Sequence, residues 1–439
     1  MKPASSQASG SGPDALAPAT VPDPSPAHGQ ADRPQGPDTR LAPGDAGYRR
    51  MSFALFLAGV ATFALLYSTQ ALLPLISAEF GVTESAASWS VSAATGALAL
   101  CVLPLSALSE RYGRRTLMTV SLVVAVAVGL LVPFAPNLPV LVALRAVQGA
   151  ALAGLPATAM AFLAEEVRPR ALVAAIGLFV AGNSIGGMSG RVVGGWSAQL
   201  WGWRAALAVI GLLAVVCALA FRALLPAPRH FRPAPLDPRS LARTVRGHLA
   251  NPLLRRLYAI GALFMAVFGA SYTVIGYRLS EAPFSLPQGV VGSVFLIYLV
   301  GTGTSATAGR MVARLGRRGA LYLGGTTAAT GLLLTLAGSL PLVLLGLVLI
   351  TAGFFTGHAV ASSAVSRTAT EGRAQASALY TSAYYIGSSA GSTLGAIAYR
   401  SDGWAGTVCL GLLAVLGVVA ITALGTRAAR AQQLRAARA

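Results

Sequence analysis

Long uncharged apolar stretches alternate along this chain with short polar connections. They fall at residues 52–75, 86–108, 116–135, 138–160, 171–196, 203–225, 254–280, 288–309, 319–338, 341–365, 374–399 and 404–425. At 1.5 Å of rise per helical residue, roughly 20 such residues cross a hydrocarbon core of about 30 Å. Only helices and closed barrels satisfy their own backbone in lipid, and the short alternating strands of a barrel are missing here. The pattern therefore predicts an all-α membrane protein with twelve transmembrane helices.

The polar stretches set the organisation. Residues 1–50 hold nine prolines and five aspartates without an apolar run, a composition that predicts a disordered tail. A proline- and arginine-rich connection at 226–253 divides the spans six and six, and residues 426–439 form a basic tail. The expected units are thus a six-helix bundle over 51–225, a linker over 226–253 and a second bundle over 254–425.

Composition agrees. Hydrophobic residues make up 55% of 439, and mean hydropathy is +0.66, above the roughly 45–50% apolar content of soluble domains. The three cysteines, Cys101, Cys217 and Cys409, lie in apolar runs and imply no disulfide framework. The net charge of +19 does not mark a nucleic-acid binder, because the basic residues are spread over the connections. With both termini and every even-to-odd connection in the cytoplasm, 28 of the 33 basic residues fall on that side. The positive-inside rule then predicts cytoplasmic N and C termini.

Two landmarks repeat. LSERYGRR (Leu108 to Arg115) follows the second span, and MVARLGRR (Met311 to Arg318) follows the second span of the other half. Gly182, Gly186 and Gly190 recur every four residues in span 5, as Gly387, Gly391 and Gly395 do in span 11. Such repetition points to a duplicated unit around a central cavity, a transporter architecture.

At these residues the chain resembles the major facilitator superfamily, and within it the bacterial proton-linked drug and sugar efflux permeases. The family's loop pattern, G-x-L-a-D-R-x-G-R-R, is met at Leu108, Arg111, Gly113, Arg114 and Arg115, with Ser106 for the first glycine and Glu110 for the aspartate. The second copy has Gly309, Arg314, Gly316, Arg317 and Arg318 but Ala313 in place of the acid. The fourth-helix pattern R-x-x-Q-G is met at Arg145, Gln148 and Gly149. The exporters' fifth-helix pattern, G-x-x-x-G-P-x-x-G-G, is met at the three span-5 glycines, with Gly187 for the proline and Arg191 for the last glycine. The resemblance implies that Glu110, Arg111, Gly113, Arg114 and Arg115 help close the cytoplasmic side. Plain anchoring in anionic lipid is the alternative for the first copy and the expected role of the second. Glu165 and Glu166 either pair across to the loop arginines or are solvated.

None of the fourteen acids lies mid-membrane. Ionisable groups inside the bilayer are expensive and usually functional, which leaves Arg145, Arg191 and His358. Either arginine can serve the substrate or proton pathway. Arg145 can instead snorkel to the interface, and Arg191 can hydrogen-bond toward span 8. His358 suits proton exchange by its ordinary pKa of about 6.5, or packs as a neutral side chain. Spans 1, 4, 7 and 10 line the family's cavity, which implies Tyr67, Gln70, Gln148, Tyr272 and Phe355 as contacts, beside the polar Asn183 of span 5. The glycine stripes permit close helix approach, as a sliding surface between the halves or as static packing.

The expected function is export of a small neutral or anionic organic solute in exchange for protons, by a monomer in the bacterial inner membrane. A membrane enzyme would need clustered acids or histidines, and the chain has no such cluster, no metal-binding motif and no P-loop for a nucleotide. The resemblance implies no cofactor beyond the proton gradient. Proton-coupled uptake and a non-transporting membrane sensor are the competing readings.

Overall fold

A computed structural model describes residues 40–231, 233 and 237–436, with side chains through Gly425. Among the described residues nine helical segments are long and apolar enough to cross a membrane. Three of them carry two crossings each. α7 (Pro169–Leu224) bends at Gly202, α11 (Tyr298–Leu334) at Gly316 and α13 (Arg373–Ala436) at Asp402 and Gly403. The others are α1 (Ala46–Leu66) with α2 (Leu73–Phe80), α3 (Glu84–Tyr112), α4 (Arg114–Leu131), α5 (Leu138–Leu152) with α6 (Pro156–Glu166), α9 (Pro252–Ser280) and α12 (Leu340–Thr368). Twelve crossings result, as the apolar pattern predicts.

The two halves differ in their first and fourth spans. Span 1 stops at Leu66, turns through a 3-10 segment at Gln70–Leu72 and resumes as α2. Span 4 stops at Leu152 and resumes at Pro156. Pro74 and Pro156 open the resumed pieces. Proline supplies no N–H to a continuing helix but fits a first turn, so each break is written in the sequence. The matching spans of the second half, α9 and α12, hold no internal proline and run unbroken. There the eighth span is interrupted, as α10 (Gln288–Ser293) and a 3-10 turn precede α11.

Ordered structure extends past two expected boundaries. Leu41 N donates to Glu166 O at 2.8 Å, Arg168 N donates to Leu41 O at 3.1 Å, and α1 begins at Ala46. Residues 40–50 of the expected tail are therefore tied down by backbone pairing, while residues 1–39 lie outside the described residues. In the linker, Asp237 Oδ1 accepts from Arg239 N at 3.0 Å and caps α8 (Pro238–Ala250).

The glycine stripes pack inside each half. A Cβ at Gly182 or Gly186 would strike the carbonyl oxygens of Phe56 and Val60 in α1, and one at Gly190 would come within 2.9 Å of Ala64 Cα. Gly387, Gly391 and Gly395 press in the same way on Ala262, Ala266 and Ala270 of α9. The stripes pack against a helix of their own half and not across the halves. The halves meet elsewhere. Ser92 Oγ donates to Ser389 O at 3.1 Å, Ser389 Oγ donates to Ser92 O at 2.8 Å, and Ser382 Oγ donates to Ala99 O at 2.8 Å. Gly195 and Gly292 let α7 and α10 touch, each lying within 2.9 Å of where the other's Cβ would be.

Candidate functional site

The hydrogen bonds that join the halves gather toward the face opposite the described chain ends. Ser77 Oγ lies 2.6 Å from Tyr277 Oη, Gln288 Nε2 donates to Ala71 O at 2.5 Å, and Gly289 N donates to Gln199 Oε1 at 2.8 Å. Below this closure lies a cavity of about 150 Å³, with walls from both halves. Ligand pockets more often measure about 300–1,000 Å³, so this one is narrow in the present conformation.

Its first half contributes Tyr67, Asn183 and Arg191. Arg191 is buried and has no carboxylate partner among the described residues. Its Nε and Nη2 donate to Gln70 Oε1 at 2.8 and 2.5 Å, and its Nη1 donates to Gly187 O. The guanidinium carbon sits 4.4 Å from the ring centre of Tyr67 and 4.9 Å from those of Phe295 and Tyr298. Each such contact is worth roughly 0.5–2 kcal/mol to a cation. Gln70 passes the connection on: its Nε2 donates to Thr273 Oγ1 at 3.1 Å, which donates to Ser392 Oγ at 2.8 Å. A chain of polar contacts thus links the charged residue to the other half. Three of the five guanidinium N–H groups are occupied.

The second half contributes an aromatic wall. Phe268 stacks on Phe354 with ring centres 4.2 Å apart and tilts against Tyr298 at 5.1 Å. Phe355 and His358 continue the wall along α12, and Tyr384 lies 4.8 Å from the His358 ring. Tyr380 Oη is 3.0 Å from His358 Nδ1 and also donates to the His358 carbonyl oxygen at 3.3 Å. Two buried polar atoms of the lining, Asn183 Oδ1 and Tyr298 Oη, have no hydrogen-bond partner. Buried polar atoms are rarely left so; Asn183 Oδ1 is packed against Gly59 of α1.

Four expected contacts stand apart from the lining. Tyr272 is fully buried behind the aromatic wall, with Oη 2.7 Å from Thr351 Oγ1, and Gln70 acts through Arg191. Arg145 and Gln148 lie behind span 1. Arg145 is fully buried, and its job follows from the break in that span. The last carbonyls of a helix have no intrahelical partner, and α1 ends in the membrane at Leu66. Arg145 Nη1 donates to Leu65 O at 2.7 Å and Nη2 to Leu66 O. Its Nε donates to Ser90 O at 3.0 Å, Nη1 also meets Gln148 Oε1, and Gln148 Nε2 donates to Ala125 O at 3.1 Å. The negative end of the α1 dipole compensates a charge that no acid balances. Arg145 neither reaches the cavity nor snorkels.

On the other face, Gly113 takes φ +95°, a region closed to most side chains, and turns α3 into α4. Arg114 follows it, buried. Its Nε donates to Glu165 Oε1 at 3.0 Å and Nη1 to Ser109 Oγ at 2.5 Å, with Glu110 more distant at 3.9 Å. Glu166 faces the linker instead of the loop: Oε1 accepts from Arg229 N and His230 N at 2.8 and 2.9 Å. Arg111 is exposed over the ring of Tyr112, and Arg115 is half-buried. Among the described residues, these hydrogen-bond and ion-pair partners belong to the first half and the linker. Sequence reasoning singled out neither Thr273 nor Phe268 and Phe354. For Phe354 a signal existed, since Phe354, Phe355 and His358 recur on one helical face.

The family model described as Major Facilitator Superfamily matches residues 52–392. The chain is 40% identical over 391 residues to "Inner membrane transport protein YnfM" of Escherichia coli (strain K12), covering 89% of this chain and 93% of that protein. It is 38% identical over 383 residues to "Uncharacterized MFS-type transporter YybF" of Bacillus subtilis (strain 168), covering 87% and 94%. In fold it is similar to a bacterial homologue of the human lysosomal transporter Spinster in an inward-facing, occupied conformation. That likeness has a TM-score of 0.69 at 15% identity, covering 86% of this chain and 96% of the other. With twelve helical crossings, a cavity between two bundles and a family match over most of the chain, this protein belongs to the major facilitator superfamily as a multi-pass membrane transporter, not an enzyme.

Proposed function

We propose that the protein exports a small neutral or anionic organic solute across the bacterial inner membrane in exchange for protons, with both termini in the cytoplasm. The observation that carries the substrate class is Arg191, a buried guanidinium at the cavity with no carboxylate in the lining. A cationic substrate about 4 Å away would meet repulsion of about 4 kcal/mol at an effective dielectric of 20, close to a thousandfold in affinity. An anion or a carbonyl oxygen would instead accept from the two N–H groups left over. The unpartnered Tyr298 Oη of the lining is open to a hydrogen-bonding group on the solute. The aromatic wall favours an apolar or planar body beside it.

Proton exchange is assigned to His358, which shares the lining with Arg191. Outward direction is supported by the exporter-like glycine pattern of span 5 and orientation by the arginine asymmetry. The test is flux in proteoliposomes holding the purified protein, with an imposed pH gradient and a panel of acidic, neutral and cationic compounds. Uptake of acidic or neutral members driven by the gradient supports the reading, with His358→Gln uncoupling flux from the gradient. Flux indifferent to the gradient would remove the proton.

A further inference from the structure

The second basic loop keeps its arginines without the acid of the first, and the surroundings of those arginines differ as well. Counted from the Leu-Pro pair that opens each helix (Leu138-Pro139 and Leu340-Pro341), the position of Glu165 is held by Arg367 in the second half. Where Arg114 pairs with Glu165, the equivalent Arg317 has Arg318 and Arg367 as charged neighbours. Among the described residues no carboxylate pairs with Arg256, Arg317 or Arg318. Arg318 Nη2 makes one long bond, 3.3 Å, to Gly425 O.

These three arginines rim a groove of about 230 Å³ between the start of α9, the part of α11 after Gly316, and α13 near Gly425. All three segments are ends of apolar spans, so the groove opens at the level where hydrocarbon gives way to headgroups. Its walls away from the arginines are Leu253, Leu257, Ile260, Leu321 and Ile421. A charged rim over an apolar trough fits a molecule with a negative head and a hydrocarbon body. Guanidinium groups bind phosphate oxygens in pairs, and basic pockets between helices at a membrane face hold anionic headgroups. We propose that this groove is a binding site for the phosphate headgroup of an anionic phospholipid, with one acyl chain along the leucine and isoleucine wall. A free phosphate would use the arginines but leave the wall unused.

The test is native mass spectrometry of the purified, delipidated full chain, titrated with dioleoyl phosphatidylglycerol, dioleoyl phosphatidylcholine or inorganic phosphate. The wild type is expected to hold a phosphatidylglycerol under activation that strips phosphatidylcholine. Arg256→Gln with Arg317→Gln should weaken that binding at least tenfold. Arg239→Gln with Arg243→Gln, which removes two charges from the exposed side of α8, should not. Gly425→Leu fills the groove without touching charge. Its Cβ would meet Arg256 Nη1 at 3.6 Å, an ordinary contact, and it should weaken binding too. Should the double variant fold poorly, a photoactivatable phosphatidylglycerol on the wild type gives the same answer, with adducts expected in 253–260, 317–321 or 421–425. Equal binding by the double variant, equal retention of phosphatidylcholine, adducts elsewhere, or inorganic phosphate displacing the lipid at equal concentration would each overturn the proposal.

Discussion

The two halves share a plan and spend their polar residues differently. In the first half, spans 1 and 4 are broken at prolines, and the carbonyl end of α1 is held by the buried Arg145. In the second half the equivalent spans are continuous. By the same Leu-Pro register, Leu347 stands where Arg145 stands in the first half. It needs no guanidinium because α9 leaves no carbonyls unpaired there. The first half therefore supplies charge to the centre of the protein, and the second supplies aromatic surface. The comparison teaches that an intramembrane arginine is not by itself a substrate contact. Arg145 and Arg191 are both buried without an acid, yet one answers a helix break and the other faces the cavity.

The comparison can be broken most severely at Leu347. Leu347→Arg places a charge where no orphan carbonyls wait, and an uncompensated buried charge costs about 3–5 kcal/mol. Loss of folded protein in fluorescence-detected size exclusion is the expected outcome. Next comes Arg145→Met, which takes the donor from the Leu66 carbonyl at about 1–3 kcal/mol, while Leu65 O keeps Ser68 N and Oγ. The melting temperature should fall by about 1–3 °C, and Arg145→Lys should recover only part of it. A full-stability Arg145→Met protein would dissolve the contrast between the halves. Gly186→Leu and Gly391→Leu should each disrupt packing within one half, because a Cβ at either site strikes a carbonyl oxygen of the neighbouring helix. Failure of expression is predicted for both, and normal transport in either would restore the sliding-surface reading. The smallest effect is expected from Glu165→Gln, which loses one partly exposed ion pair worth about 1 kcal/mol or less. It should lower stability slightly. Arg367→Glu, which gives Arg317 a partner, should raise it slightly.

Much of this was legible beforehand. The twelve spans and the repeated basic loops follow from apolar length and spacing alone. Pro74 and Pro156 mark the breaks in spans 1 and 4, but what covers a break is a three-dimensional matter. Nothing in the sequence near Arg145 announces the carbonyls of Leu65 and Leu66, about 80 residues earlier. The direction of the glycine stripes was illegible for the same reason, since spacing gives a face but not its neighbour. Tyr67, Asn183, Arg191, Phe355 and His358 do meet at one cavity, and Gln70 reaches it through Arg191. Tyr272 and Gln148 do not, because each has a buried hydrogen-bond partner behind the wall.

The most direct test of the division of labour is accumulation in energised cells expressing wild type or Arg191→Gln. Each is loaded with a fluorescent organic acid or with ethidium, and folded protein is matched by size exclusion. The account predicts energy-dependent efflux of the acid by wild type, at least a tenfold loss in Arg191→Gln, and no ethidium efflux by the wild type. Strong energy-dependent ethidium efflux by the wild type, undiminished in Arg191→Gln, would contradict it.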